Sequence, residues 1–197
     1  MQSLIYDFET LGTNPNDSAV ISMAIMEFNS DKFLAPGYTY SQLLQKCKTI
    51  KFDVENQVRQ YGRMIDQSTL AWWGEQSMEA QAQLAPSSAD VKITDLYDWL
   101  HSEVLVDGIE RVYTRGNTFD PLFFQSLLSD GSKQDPFPFY ILRDTRSTIE
   151  GMTLFNKEIK NSFIVPGLED QFIAHDPSHD IAMDVARMQF LMQQVSG

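Results

Sequence analysis

Cysteine is almost missing from this chain, which carries a single one, Cys47, among 197 residues. A lone cysteine excludes an intramolecular disulfide framework and a cysteine-rich metal site. Secreted proteins of modest size often depend on disulfides, whereas reduced thiols are typical of the cytosol. We therefore expect a cytoplasmic protein.

Long apolar runs are also missing, and no segment has the roughly 20 consecutive apolar residues that a membrane-spanning helix needs. The first residues form an apolar run that ends in acids, a pattern typical of a strand rather than of a signal peptide. The sequence thus predicts a protein with no membrane partner.

Basic residues are scarce, since 15 Lys and Arg stand against 27 Asp and Glu, for a formal charge of −12. Such a balance argues against polyanion binding over the whole surface. An enzyme of this charge that acts on nucleic acid needs a local basic groove, or metal ions that reverse the field at its site.

Several well-known site motifs are absent as well. No G-x-S-x-G elbow is present, which argues against a Ser-His-Asp hydrolase. Neither a P-loop nor a dinucleotide-binding glycine motif occurs. The chemistry of this chain has to come from other side chains.

The length of the chain predicts one domain over residues 1–197. Apolar patterning predicts strands, then strands alternating with helices, which is typical of an α/β fold with a central mixed five-stranded sheet flanked by helices. The predicted strands are 2–8, 20–28, 49–52, 111–114 and 139–142. The predicted helical stretches are 53–82, 87–100, 119–128 and 178–194, with Ser87 and Ser88 as the cap of the second.

Two acids in the first predicted strand are the most informative residues. Asp7 and Glu9 follow Leu4, Ile5 and Tyr6 and are two positions apart, so both side chains lie on one face of a strand. Two carboxylates on a buried face repel each other and lose hydration, which is costly unless a cation compensates their charge. A divalent metal fits this need, and two solvated acids at a strand end are the alternative.

A third acid, Asp120, follows the fourth predicted strand and opens a helix. A carboxylate in the first helical turn is stabilised by the helix dipole, which is the structural interpretation. The functional interpretation is a third metal ligand delivered at a strand end.

The C-terminal segment offers two pairs with the spacing H-x₄-D, His175 with Asp180 and His179 with Asp184. At roughly 100° per residue, Asp184 lies about 60° from the centre of the apolar stripe of the last helix and Asp180 about 100°. This geometry favours Asp184 as the fourth ligand and His179, at the helix entrance, as a proton acceptor. The stripe consists of Ile181, Val185, Met188, Met192 and Val195.

Taken together, these motifs resemble the DEDDh superfamily of 3′–5′ exonucleases, which has an RNase H-like fold. Asp7-Phe8-Glu9-Thr10 is similar to the first motif of that group, Phe119-Asp120 to the second and His179 through Asp184 to the third. This chain has Arg115-Gly116 where many members have His-Asn, which leaves the ligand Asp120 untouched.

A closer resemblance is to the phage exonuclease A (DexA) type and the related exoribonuclease-like domains, over nearly the whole chain. The segments that carry it are Asp7 to Gly12, Ser68 to Trp73, Arg143 to Arg146 and Ala174 to Asp176. If the chain is phage-encoded, the resemblance implies action in the host cytoplasm.

The resemblance implies a two-metal mechanism. Two Mg²⁺ or Mn²⁺ ions would be held by Asp7, Glu9, Asp120 and Asp184, and His179 would be the general base for the attacking water. The implied product is a 5′-mononucleotide released from the 3′ end.

Further residues are predicted to contact the substrate. Thr10 and Leu11 resemble residues that contact the terminal nucleotide, and Phe119 belongs to the second motif. Trp72 and Trp73 can stack on bases, with core packing as the alternative. Arg143 is predicted at the edge of the site, with a structural salt bridge as the alternative.

The leading hypothesis is thus a 3′–5′ exonuclease acting on single-stranded DNA. An exoribonuclease acting on short RNA or RNA tails is the rival within the enzyme class, because the pocket shape that senses a 2′-OH cannot be read from the sequence. A non-catalytic nucleic-acid-binding module is the rival from another class. It would be expected to have lost a carboxylate, and all are present.

Overall fold

The computed structural model describes residues 1–34, 36–153, 156 and 158–196. A central sheet contains the strands β1 (Gln2–Thr10), β2 (Val20–Asn29), β3 (Lys48–Lys51), β4 (Arg111–Thr114) and β5 (Leu142–Asp144). Their spatial order is β3-β2-β1-β4-β5. The first three strands pair antiparallel, whereas β4 is parallel to β1 and β5 is parallel to β4. The predicted mixed five-stranded sheet is confirmed.

Eight α-helices belong to the described part of the chain. They are α1 (Tyr40–Lys46), α2 (Val54–Tyr61), α3 (Gln67–Trp73), α4 (Met78–Gln81), α5 (Leu96–Glu103), α6 (Asp120–Asp130), α7 (Thr145–Met152) and α8 (Pro177–Ser196). No helix among these residues combines the length and the apolar character that crossing a membrane requires.

The alternation of side chains along β1 divides the core into two layers. Leu4, Tyr6 and Phe8 pack on one face with residues of α5 and α6. Ile5 packs on the other face with residues of α1 and α8. Because Asp7 and Glu9 share the parity of Ile5, the strand carries both acids on the α8 face.

Several element boundaries differ from the sequence-based expectation. The predicted helical stretch 53–82 is three short helices, and α2 ends at Gly62, whose φ of 67° stops a helix. The helix predicted at 87–100 begins only at Leu96, so Ser87 and Ser88 do not cap it. Residues 139–141 form a 3₁₀ turn, and β5 follows them. The short helices α1 and α7 were not predicted.

Candidate active site

The parallel strands and α8 bring the acidic residues together at one end of the sheet. Asp7 and Glu9 lie in the second half of β1, and Glu9 is only 8% exposed. The pairing of β1 with β2 is regular up to Glu9 and shifts register between Glu9 and Thr10. Such a shift bends a strand at its end and is common beside active sites.

Asp120 reaches the same end of the sheet from the first turn of α6. It is 2% exposed, and its Oδ1 accepts a hydrogen bond of 3.2 Å from the backbone N–H of Phe8. Phe8 lies between the two acids of β1, so this bond fixes Asp120 beside them. The expectation that these three acids converge agrees with this placement.

Asp180 completes the group from the first turn of α8. One ligand atom each from Glu9, His175 and Asp180 lie within 4.8 Å of one another. The backbone N–H of His175 donates a 3.1 Å hydrogen bond to Oδ2 of Asp180. We call Asp7, Glu9, Asp120 and Asp180 the carboxylate cluster.

Burial and mutual repulsion raise the pKa of every carboxyl group in the carboxylate cluster. Desolvation is the main cause throughout, and it takes the pKa of Asp120 and of Asp180 to about 7. The pKa values of Asp7 and Glu9 are raised well above their ordinary range by burial, then by Asp120 and Asp180 respectively. Four oxygen-ligand groups with excess negative charge form a donor set that suits Mg²⁺ or Mn²⁺.

His175 has an unusual backbone conformation beside the carboxylate cluster. Its φ of 61° is in the left-handed region, which costs a non-glycine residue roughly 1–2 kcal/mol. Its ring packs edge-on against Trp72, with centroids 4.8 Å apart. Burial lowers the pKa of the imidazole, so the neutral form, which can accept a proton, predominates at pH 7.

Asp184 lies one turn deeper in α8 and is held by cations of the protein itself. Its Oδ1 accepts hydrogen bonds from Arg115 at 2.7 Å and from Arg187 at 2.6 Å. The hydroxyl of Thr145 donates to its Oδ2. At 1% exposure this carboxylate is neutralised by two guanidinium groups. The protein itself thus supplies the cationic partners of this carboxylate.

His179 is occupied by protein contacts too. Its Nδ1 accepts a hydrogen bond of 3.3 Å from the backbone N–H of Ile173 and lies 3.1 Å from the hydroxyl of Tyr40. The metal-ligand grouping found among the described residues contains His175 and Asp180 but not His179 or Asp184. Asp7 and Asp120 are outside that grouping as well, and Asp184 lines a small pocket together with Asp7 and Asp180. The contacts thus favour His175 and Asp180 over the pair preferred from the sequence.

A cleft of about 410 Å³ opens beside Glu9. Trp72 is 41% exposed and lines it. Phe119, which packs on Phe123 with centroids 4.8 Å apart, lines it as well. The full lining is Phe8, Glu9, Thr10, Gly12, Thr13, Ser68, Thr69, Trp72, Trp73 and Phe119.

Two of the predicted substrate contacts belong to the core instead. Trp73 is 1% exposed, and its indole N–H donates a 3.0 Å hydrogen bond to the carbonyl of Thr10. Leu11 is 4% exposed and packs in a small cluster with Ile21 and Trp73. Trp73 is among the residues that line the cleft although it is almost fully buried, whereas Leu11 is not among them.

Arg143 does not reach the cleft lining. Its Nη1 donates to the carbonyl oxygens of Tyr140 at 2.8 Å and Leu142 at 2.7 Å, so the guanidinium is tied to the neighbouring backbone. Arg146, three positions later, is exposed. Burial dominates the pKa of Asp120 and raises it, while the Arg146 charge acts in the opposite direction. Arg146 is thus the cation of this segment that influences the site.

Comparison with known proteins places these features in a family. The family model described as "3'-5' exoribonuclease Rv2179c-like domain" matches residues 2–189. The exodeoxyribonuclease of Enterobacteria phage T4 is 29% identical over 214 residues, which cover 100% of this chain and 92% of that protein.

Solved structures of exonuclease I share the fold. The zinc-bound complex of E. coli ExoI with single-stranded DNA superposes with a TM-score of 0.58 at 16% identity, covering 99% of this chain and 40% of that one. A product-bound exonuclease I gives a TM-score of 0.54 at 15% identity, covering 99% and 43%. This chain thus spans about two fifths of those proteins, and the likeness confirms the RNase H-like fold.

Proposed function

The chain belongs to the family of 3′–5′ exoribonuclease Rv2179c-like domains, and from this premise we propose that it removes nucleotides from the 3′ end of single-stranded nucleic acid. Its family and its phage T4 relative make it a phosphodiester hydrolase of the exonuclease class. The single observation that carries the proposal is the carboxylate cluster with His175 beside a cleft lined by aromatic residues.

Asp7, Glu9, Asp120 and Asp180 would hold two divalent ions, Mg²⁺ or Mn²⁺. The donor set fits because all four groups offer oxygen ligands and their pKa values are raised by burial and by one another. Such ions supply positive charge to the scissile phosphodiester and to the leaving 3′ oxygen. In this proposal Asp180 replaces Asp184, which the sequence pattern favoured as the fourth ligand.

His175 is the general base of the proposed reaction. Its imidazole is neutral at pH 7 because burial lowers its pKa, so it can accept a proton from the attacking water. The water oxygen bonds to phosphorus, the bond to the 3′ oxygen breaks, and a 5′-mononucleotide leaves. His179, with its Nδ1 occupied by Ile173 and Tyr40, is not free for this role.

The cleft would receive the terminal nucleotide. Trp72 is partly exposed in the cleft that Glu9 also lines, and stacking on an indole accepts any base. Phe119 and Thr10 line the same cleft. These residues suit an enzyme that binds ends without sequence preference.

Single-stranded DNA is the substrate we favour. The phage T4 relative, which the chain matches over its full length, is an exodeoxyribonuclease, and E. coli ExoI was solved with single-stranded DNA. The family description names an exoribonuclease, which supports RNA as the second candidate. We further propose that residues 1–197 act as one exonuclease domain in a cytoplasmic setting, in keeping with the single cysteine.

Digestion of 5′-labelled oligomers tests the proposal. Single-stranded DNA and RNA of the same sequence are incubated with the protein and Mg²⁺ or Mn²⁺, and samples are taken over time. A ladder that shortens from the 3′ end identifies the exonuclease, and the faster ladder identifies the preferred sugar. Loss of label as mononucleotide in the first time points would instead indicate attack from the 5′ end.

The control variants are Asp7→Ala and His175→Ala, together with chelation by EDTA. We expect Asp7→Ala and EDTA to abolish cleavage and His175→Ala to reduce kcat by about 10²–10⁴-fold, the usual contribution of a general base. Intact oligomers after incubation with well-folded wild-type protein would refute the proposed function and favour a binding module.

A further inference from the structure

The segment that delivers His175 has little structure of its own. Between Met152 and Pro177 the described residues form neither helix nor strand. His175 itself has a left-handed backbone. Conformations of this kind persist only where surrounding contacts enforce them. Contacts from outside the segment must therefore fix the position of the imidazole.

Gln83, in the 3₁₀ turn after α4, provides one such contact. Its Nε2 donates a 2.7 Å hydrogen bond to the carbonyl oxygen of His175. Its Oε1 accepts a 3.1 Å bond from the hydroxyl of Ser22. Ser22 pairs directly with Glu9 across β1 and β2. Gln83 thus links the backbone of His175 to the strand that lies opposite a member of the carboxylate cluster.

His179 provides the second contact to the segment. Its Nδ1 accepts the N–H of Ile173, two residues before His175. The hydroxyl of Tyr40, from α1, lies 3.1 Å from the same Nδ1 and 3.3 Å from the carbonyl oxygen of His179. The ring of His179 is therefore oriented by Tyr40 and in turn holds the backbone of the segment.

We propose that Gln83 and His179 are positioning residues. They hold the backbone of the segment 173–175 in place so that the imidazole of His175 faces the carboxylate cluster. This proposal rests on the proposed function in taking His175 as the general base. Neither side chain lines the cleft. Both act through the backbone of the segment, so their removal should affect the chemical step and leave substrate binding unchanged.

Paired substitutions distinguish the effect of losing a hydrogen bond from the effect of changing the side-chain volume. Gln83→Glu keeps the shape and the acceptor for Ser22 but lacks the donor to His175, and Gln83→Met keeps only the volume. His179→Leu removes the acceptor for Ile173, whereas His179→Asn places an oxygen close to the position of Nδ1. We expect Gln83→Met and His179→Leu to lower kcat about ten- to hundredfold with KM unchanged, and His179→Asn to restore most of the rate.

A spectroscopic measurement tests positioning without relying on activity. The chain has three histidines, so the imidazole signals in an NMR spectrum can be assigned by substitution. In Gln83→Glu and Gln83→Met we expect the His175 ring signals to shift and broaden. The signals of the exposed His101 should stay in place and report an intact fold.

The outcomes distinguish this proposal from the proposed function. Unchanged His175 signals and unchanged kcat in Gln83→Met would overturn the positioning role. A raised KM with normal kcat would overturn it too, because that result indicates a binding role. Perturbed His175 signals in a protein whose wild type digests no nucleic acid would support positioning while refuting the exonuclease.

Discussion

At the scale of single residues, the buried acids that could bind metal ions also lower the stability of the metal-free protein when they are ionised. Asp120 is 2% exposed, and it gains only one hydrogen bond from its neighbours, from the backbone of Phe8, in return for its lost hydration. The energetic cost of keeping it ionised in the metal-free protein appears as its pKa of about 7. A group with this property is expected where a metal ion, rather than the protein, supplies the compensating charge.

Replacing Asp120 with Asn should therefore stabilise the metal-free protein while abolishing cleavage. A carboxyl whose pKa is raised on folding stabilises the fold below its ordinary pKa, and that contribution is lost as pH rises through about 7. Asn keeps the acceptor for Phe8 and carries no charge. At pH 8 we expect the free energy of unfolding of Asp120→Asn to exceed that of the wild type by at least about 1 kcal/mol. At pH 5 the difference between the two proteins should be smaller.

Urea denaturation in EDTA at the two pH values measures this difference. Asp107→Asn is the matched control, because it removes one negative charge from an exposed position. A loss of stability in Asp120→Asn at pH 8 would contradict the account of the carboxylate cluster.

At the scale of elements, α3 serves two purposes with two adjacent residues. Trp72 is 41% exposed at the cleft, whereas Trp73 is 1% exposed and bonds the carbonyl of Thr10. The helix thus anchors itself to the end of β1 through one indole and presents the other to the cleft. The side of the helix on which a tryptophan lies decides its role.

Trp72→Ala should accordingly weaken substrate binding with little effect on folding. Loss of one stacked base corresponds to about 1–3 kcal/mol, so we expect the Kd for single-stranded DNA to rise about five- to hundredfold. Trp73→Ala should instead destabilise the protein by about 3–5 kcal/mol, because it leaves a cavity in the core. Fluorescence titration with a labelled oligomer whose 3′-terminal linkage is a cleavage-resistant phosphorothioate measures Kd with the metal site intact. Equal effects of both substitutions on Kd and stability would contradict the division of roles.

The sequence predicted the elements whose signals are local. β4 has the bounds 111–114 that its apolar run indicated, and the acids of β1 share a face because alternation in a strand is fixed. The helices α1 and α7 were missed because they are short, with seven and eight residues, and too brief for a clear helical period. The resemblance to the DEDDh superfamily is confirmed by the matching family.

The pairing of His with Asp in the C-terminal segment could not be settled from the sequence. Both pairs have the same spacing, and helical geometry favoured Asp184 because it faces inward. The structure shows why facing inward is not enough. Two arginines neutralise Asp184: Arg187, three positions along the same helix, and Arg115, 69 positions away. The ion pair with Arg187 has the local i,i+3 spacing, whereas the pair with Arg115 leaves no local sequence signal. Asp180, half-buried in the first turn of α8, is the acid of that helix that meets Glu9 and His175.

At the scale of the whole molecule, the formal charge of −12 means that most of the surface repels a polyanion such as nucleic acid. The carboxylate cluster would worsen this repulsion at the point of cleavage. Divalent ions held there would reverse the local field, so metal binding and substrate binding should be coupled. Both the stability of the protein and its affinity for substrate would then depend on bound metal.

Addition of Mg²⁺ should raise the melting temperature of the protein, and more at pH 8 than at pH 5.5. Metal ions bind carboxylates in their ionised form. Because the pKa of Asp120 and of Asp180 is about 7 in the folded protein, both groups are mostly protonated at pH 5.5 and mostly ionised at pH 8. A metal concentration 100 times Kd contributes about 2.7 kcal/mol, enough to move a single cooperative transition by several degrees. The double variant Asp7→Asn/Asp120→Asn should lose this response, whereas the exposed-site control Asp98→Asn/Asp107→Asn should keep it.

We propose that Asp7, Glu9, Asp120 and Asp180 form the metal site and that Asp184 does not belong to it. Crystals grown with Mn²⁺ and a 5′-mononucleotide test this assignment, because anomalous scattering at the manganese edge locates the ions without assumptions. We expect two anomalous peaks among the oxygens of those four carboxylates, with the nucleotide base against Trp72. A manganese ion bound to Asp184 in place of Arg115 and Arg187, or no peak within the cluster, would contradict it.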